Sequence, residues 1–248
     1  MTVKNIYDYL NSLFPVNTAC DFDNAGLLIG NPEVKVQKAL ISLDCSLETV
    51  KIAKEKNCNL IITHHPVIFA PLKKLLGGSV AFELVQNNIA AISMHTNLDM
   101  ADGGVSEWLC KAIGLENIAP VTAEDGFILR AGEIEPISAD CFAERIKQSL
   151  GGCVKYVDGG REINKVLVCS GSGGEFLETA IKGGFDAFVS AEIKHHQFLM
   201  AEDFGISVFD AGHFNTEDII VEPLCEILKS NFHELTFITH HSNIFKFK

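Results

Sequence analysis

The chain has 248 residues, 47% of them hydrophobic and 21% charged, with a formal net charge of −12. That balance belongs to a folded globular protein, excludes long disordered tails, and suits one α/β domain or two packed lobes. The acidic excess argues against a broad nucleic-acid surface, which needs clustered Lys and Arg, and only Lys73 and Lys74 stand out locally.

The N-terminus opens on a helical pattern, Ile6, Leu10, Leu13 and Phe14, that carries Asp8 and lacks both the basic start and the apolar run of a secretory signal. From residue 38 short β-rich runs alternate with helical patterns, as in a parallel or mixed sheet with helices packed on it. Lys38–Leu43 reads as a strand, Ser46 as the N-cap of a helix through Leu47, Val50 and Ala53, and Leu60–Thr63 as the next strand, ending at His64. Ser79 is placed to cap a second helix, and Ile89–Met94 is a buried strand that stops before His95-Thr96-Asn97-Leu98-Asp99. A third helix spans Val105–Ile113, with Gly114 where a C′ glycine stops it.

The stretch 115–164, with Gly132, Pro136, Gly151, Gly152, Gly159 and Gly160, predicts mixed strand and helix and contains the softest boundary. Regular alternation resumes with a strand at Lys165–Ser170, a helix through Leu177 and Ile181, and a strand at Asp186–Ser190. A helix at Phe198–Asp203, a strand at Ile206–Asp210 and a last helix at Thr216–Leu228 complete the pattern. The expected fold is α/β in two closely packed lobes, about 1–125 and 126–248, with mixed or largely parallel sheets, a cleft between the lobes and no inserted extra domain. Asn59-Leu-Ile-Ile-Thr-His-His65 rhymes with Asp186-Ala-Phe-Val-Ser-Ala-Glu192, as either an old duplication or a shared α/β rhythm would produce.

The eight cysteines (Cys20, Cys45, Cys58, Cys110, Cys141, Cys153, Cys169 and Cys225) show no C-x-x-C spacing and read as small buried apolar residues. No stretch approaches the ~20 apolar residues that span a bilayer, so no membrane partner is expected and a reducing cytoplasm is the expected compartment.

Ligands of open α/β folds collect beyond the carboxyl ends of the strands. His64 and His65 follow one predicted strand, Asp99 another, and His213 a third, with Glu217 four residues on. A helix begun by His213 puts Glu217 one turn away on the same face. Each piece has a plain structural reading: His195-His196 and His240-His241 are further adjacent pairs, Asp99 suits a turn, and Glu217 suits a first helical turn. Together, three imidazoles and two carboxylates exceed what one four-coordinate ion with an open position takes, and they suit two divalent ions. Without a thiolate the set fits Zn, Fe, Mn, Co or Ni. His95 reads as a donor that fixes a liganding carboxylate or a bound water, or else as a hydrogen-bonded core histidine, and in a hydrolytic reaction it is the candidate proton donor. Gly171-Ser172-Gly173-Gly174 lacks the lysine and spacing of a phosphate loop and reads as a tight turn, and Glu192 reads as a first-turn helix carboxylate.

Four segments then carry a resemblance: Asp21-Phe-Asp-Asn-Ala-Gly-Leu-Leu-Ile-Gly30, Ile62-Thr-His-His-Pro-Val-Ile-Phe69, His95-Thr-Asn-Leu-Asp-Met-Ala-Asp-Gly-Gly104 and Asp210-Ala-Gly-His-Phe-Asn-Thr-Glu217. In that order they resemble the signatures of the NIF-three-like dinuclear-metal hexameric proteins, the GTP cyclohydrolase 1 type 2 homologues. Phe22 stands where that family often has Trp, and Ala191 where it commonly has Gly. The resemblance implies metal ligation at His64, His65, Asp99, His213 and Glu217, a two-lobed subunit, a ring-shaped homohexamer, and hydrolysis of GTP. The rival readings are hydrolysis of another nucleotide or an amide, a non-enzymatic metal-binding scaffold or regulator, and, least favoured by the charge, nucleic-acid binding through the ring.

Overall fold

A computed structural model of the chain describes residues 1–246. Local chemistry accounts for most of its elements. Helix α1 (Val3–Leu13) starts where the Thr2 hydroxyl accepts from the Asn5 N–H, and strands β1 (Gly26–Ile29) and β2 (Lys38–Ser42) follow. Ser46 caps α2 (Leu47–Glu55) by accepting from the Thr49 N–H at 3.1 Å. Next come β3 (Leu60–Thr63), α3 (Val80–Gln86), capped by Ser79, and β4 (Ala90–Ser93). Helix α4 (Thr96–Met100) leads into α5 (Val105–Ala112), which ends at Gly114 with φ +79°.

The irregular middle resolves into β5 (Glu116–Thr122), β6 (Ile128–Ile137), α6 (Ala139–Leu150) and β7 (Lys155–Val157). After it come β8 (Ile163–Ser172), α7 (Leu177–Lys182), β9 (Ala187–Ala191), α8 (His195–Phe204) and β10 (Ser207–Asp210). The chain closes with α9 (His213–Glu217), α10 (Val221–Asn231) and β11 (Thr236–His240).

The elements form two compact units, each with its own sheet. The first unit takes Met1–Leu98 and Ile220–Ile244, and its sheet has the order β1-β4-β3-β2-β11. Only β1 runs antiparallel to its neighbour; β4, β3, β2 and β11 are parallel. Every residue of β3 and β4 is buried, as parallel strands covered on both faces require. The second unit is built from Asp99–Ile219, with the order β5-β6-β8-β9-β10-β7 and a parallel centre of β8, β9 and β10. Along β8 the side chains alternate between two cores: Val166 and Val168 join Phe142 and Phe209 on one face, and Leu167 and Cys169 join Phe188 and Val208 on the other.

The α/β class and two-sheet organisation match the reading of the sequence, but the division near residue 125 does not follow the observed units. Strands β5 and β6 pair into the sheet of β8, so the second unit begins near Asp99, and the chain later returns to the first sheet through α10 and β11. The single helix expected over 216–228 is two, with a 3-10 turn at Asp218–Ile220 between them. Pro223 supplies the reason: it has no N–H to donate to the carbonyl of residue 219, and its ring crowds that carbonyl. Strands β1 and β11 were not foreseen, α8 begins three residues before the expected Phe198, and Cys141 and Cys153 are exposed rather than buried. Among the described residues no helix is long and apolar enough to cross a membrane.

Candidate functional site

In the first unit the carboxyl ends of β2, β3 and β4 present Asp44, the pair His64-His65, and His95. One ligand atom from each of His64, His65 and His95 lies within 4.8 Å of the others, in a triplet able to hold a metal ion. The hydrogen bonds of the rings decide which atoms these are. His64, 1% exposed, has Nδ1 at 2.8 Å from the Met94 carbonyl, an atom that only accepts, so Nδ1 carries the proton and the lone pair lies on Nε2. His65 Nδ1 donates to Asp44 Oδ1 at 2.7 Å, and His95 Nδ1 donates to Asp23 Oδ1 at 2.8 Å. All three imidazoles therefore offer Nε2, with the other nitrogen tied to a carbonyl or carboxylate, as metal-ligating and proton-transferring histidines are tied.

Asp23 is held more firmly than its partner. Its second oxygen accepts from the Thr96 N–H at 3.0 Å and the Thr96 hydroxyl at 2.6 Å. Burial pushes its pKa up, but the hydrogen bonds from His95 and Thr96 outweigh burial and bring it down to about 2. The carboxylate therefore stays charged and keeps the His95 ring in one orientation. Beside it, the Phe69 ring stands edge-on to His95 at 6.2 Å, with Phe22 at 6.4 Å from Phe69.

The second unit supplies the carboxylates. Gly212 (φ +83°) precedes α9, so the helix begins at His213 and its pitch sets Glu217 one turn on: His213 Nε2 lies 2.9 Å from Glu217 Oε2. Atoms that each sit about 2.1 Å from a shared ion stand about 3.0 Å apart at a right angle and about 3.4 Å at a tetrahedral one, so this pair lies near the short end of ligand spacing. Asp99, 7% exposed, sits on α4 rather than in a turn, and its Oδ1 accepts from the Ser170 hydroxyl at 2.8 Å. The next residue, Gly171, has φ +60°, and a Cβ there would lie 2.0 Å from Glu217 Oε1. Both buried carboxylates thus meet the end of β8, and burial followed by the charges of Asp99, Glu175 and Glu217 raises the Cys169 thiol well above its ordinary value. Such a concentration of buried negative charge is a setting for a cation.

A sequence profile of the Duf34/NIF3 (NGG1p interacting factor 3) family matches residues 1–246. The chain belongs to the Duf34/NIF3 family. It is 32% identical over 254 residues to a Campylobacter jejuni protein named GTP cyclohydrolase 1 type 2 homolog, with both chains covered in full. A Clostridium acetobutylicum protein of the same name is 30% identical over 247 residues, covering 95% of this chain and 92% of that one. Among solved structures, Staphylococcus aureus protein SA1388 superimposes with a TM-score of 0.91 at 27% identity, covering 100% of this chain and 99% of that one.

Within this Duf34/NIF3 chain, the sequence reading missed the residues that hold the imidazoles. Asp44 stands two residues beyond β2, where the rule that selected His64 would have found it; Asp23 lies inside a quoted signature without an assigned role. The glycine-rich segment is a close-approach point, since the Gly171 and Gly173 amides are taken by Thr216 Oγ1 and Ser190 Oγ. Of the other histidine pairs, His195 and His196 are exposed on the first turn of α8, and His241 lies 3.1 Å from Glu222.

Proposed function

We propose that His64, His65, Asp99, His213 and Glu217 hold two divalent metal ions, and that the chain is a metal-dependent hydrolase. The observations that carry this reading are, in the first unit, imidazoles locked by acceptors at Nδ1 that each present Nε2 and, in the second, His213 Nε2 at 2.9 Å from the buried Glu217 carboxylate. Nitrogen and oxygen donors without thiolate favour Zn, Fe, Mn, Co or Ni. Two bound ions supply an activated water at neutral pH and polarise the bond under attack. His95 Nε2, oriented through Asp23, is placed to take a proton from the attacking water and pass it to the leaving nitrogen or oxygen.

The relatives' name makes GTP the candidate substrate, opened by water at the ring carbon between two nitrogens of its imidazole. A homohexamer belongs to the same reading, as the family resemblance implies. Metal analysis of the purified protein, paired with GTP turnover by loaded and chelated forms, tests the proposal. Near two ions per chain are expected, with His64→Ala and Glu217→Ala each lowering that number while the fold persists. Two stoichiometric ions in both variants would refute the site. Two ions in the wild type without GTP turnover would refute the substrate and leave the site standing.

A further inference from the structure

Among the described residues, four that are not glycine adopt a left-handed backbone: Asn57, Asn88, Asn117 and Glu192. The three asparagines tolerate that conformation; Glu192, at φ +55°, does not share their short hydrogen-bonding side chain. It follows β9, and its side chain is 58% exposed, so burial gives no reason for a glutamate there. Its carboxylate reaches instead to α9, where Oε1 lies 3.2 Å from His213 Nδ1.

The backbones that carry the two side chains are fastened to each other. Asp210 Oδ2 accepts from the Ile193 N–H and Asp210 Oδ1 from the Gly212 N–H, both at 3.2 Å, and Lys155 Nζ lies 3.1 Å from the same carboxylate. One carboxylate thus fixes the residue after Glu192 against the residue before His213. In the sequence rhyme of 59–65 with 186–192, Glu192 corresponds to His65, each following a parallel strand of its own sheet. Backbone strain that persists beside a candidate site marks a side chain kept for its chemistry rather than its fit.

We infer that Glu192 is the positioning residue of His213: its carboxylate, facing Nδ1, keeps the ring proton on that nitrogen and leaves the Nε2 lone pair facing Glu217. Resting on the metal-binding reading above, this puts an anionic acceptor 3.2 Å from His213 Nδ1, the ring position at which His64, His65 and His95 meet Met94, Asp44 and Asp23.

The test compares Zn2+ affinity and metal-free melting temperature of the full chain with those of Glu192→Gly, Glu192→Gln and His213→Ala. Glycine accepts the left-handed backbone, so Glu192→Gly is expected to raise the metal-free midpoint by about 2–4 °C. The same variant is expected to weaken Zn2+ binding roughly 10–100-fold, and Glu192→Gln, whose amide oxygen still accepts, to recover most of that loss. In the His213→Ala background the glycine substitution should change affinity less than about twofold, because the residue it positions is gone. Wild-type affinity in Glu192→Gly, or a lower metal-free midpoint, overturns the inference while the metal site stands. A wild-type chain that takes up no Zn2+ overturns the metal-binding reading itself, before any variant is measured.

Discussion

Asp23 joins local electrostatics to a testable pH dependence. Its folded pKa of about 2 lies below the ordinary 3.8, so it contributes stability that is fully present above pH ~4 and is lost as pH falls through about 2. At ~1.4 kcal/mol per pKa unit that contribution is about 2 kcal/mol. Asp23→Asn is therefore expected to lower the melting temperature at pH 7 and to flatten its decline between pH 4 and 2; melting curves at a series of pH values check this, and parallel curves for both proteins would refute it. The His95–Asp23 bond spans 72 residues, which is why no local pattern announced it. His213 and Glu217, four apart on one helix, were legible because helical pitch alone brings them together.

At the scale of elements, the approach of α9 to β8 depends on Gly171. A Cβ would lie 2.0 Å from Glu217 Oε1 and also force φ +60° on an L residue. Gly171→Ala is expected to cost about 2–4 kcal/mol and to lower bound metal by displacing Glu217, read by denaturant unfolding and metal analysis. By contrast, Ser46→Ala, which removes only the cap of α2, should cost about 1 kcal/mol and leave metal content unchanged. Caps and C′ glycines were legible because their hydrogen bonds close within a few residues. The split between α9 and α10 was written in Pro223 but lost inside an amphipathic period that runs through it.

For the whole molecule, the decisive feature is the return of the chain to its first sheet. Residues Thr236–His240 pair in register with Lys38–Ser42, so β11 covers the edge that β2 would otherwise present. A chain ended after Phe232 is expected to melt well below the full protein and to associate through the bared β2 edge, detected by melting curves and light scattering; an equally stable monomer would exclude that role.

What the sequence determined by itself was the α/β alternation, the positions of most strands and helices, and the donors standing just past strand ends. Those follow from hydrophobic period, capping chemistry and helical pitch, which act over a few residues. Tertiary structure alone decided that the first unit is discontinuous, that Asp23 and Asp44 hold His95 and His65, and that a left-handed Glu192 reaches His213. These pairings join residues about 20 to 200 positions apart, and they exist only once the sheets have been ordered by burial of both faces and by strand register.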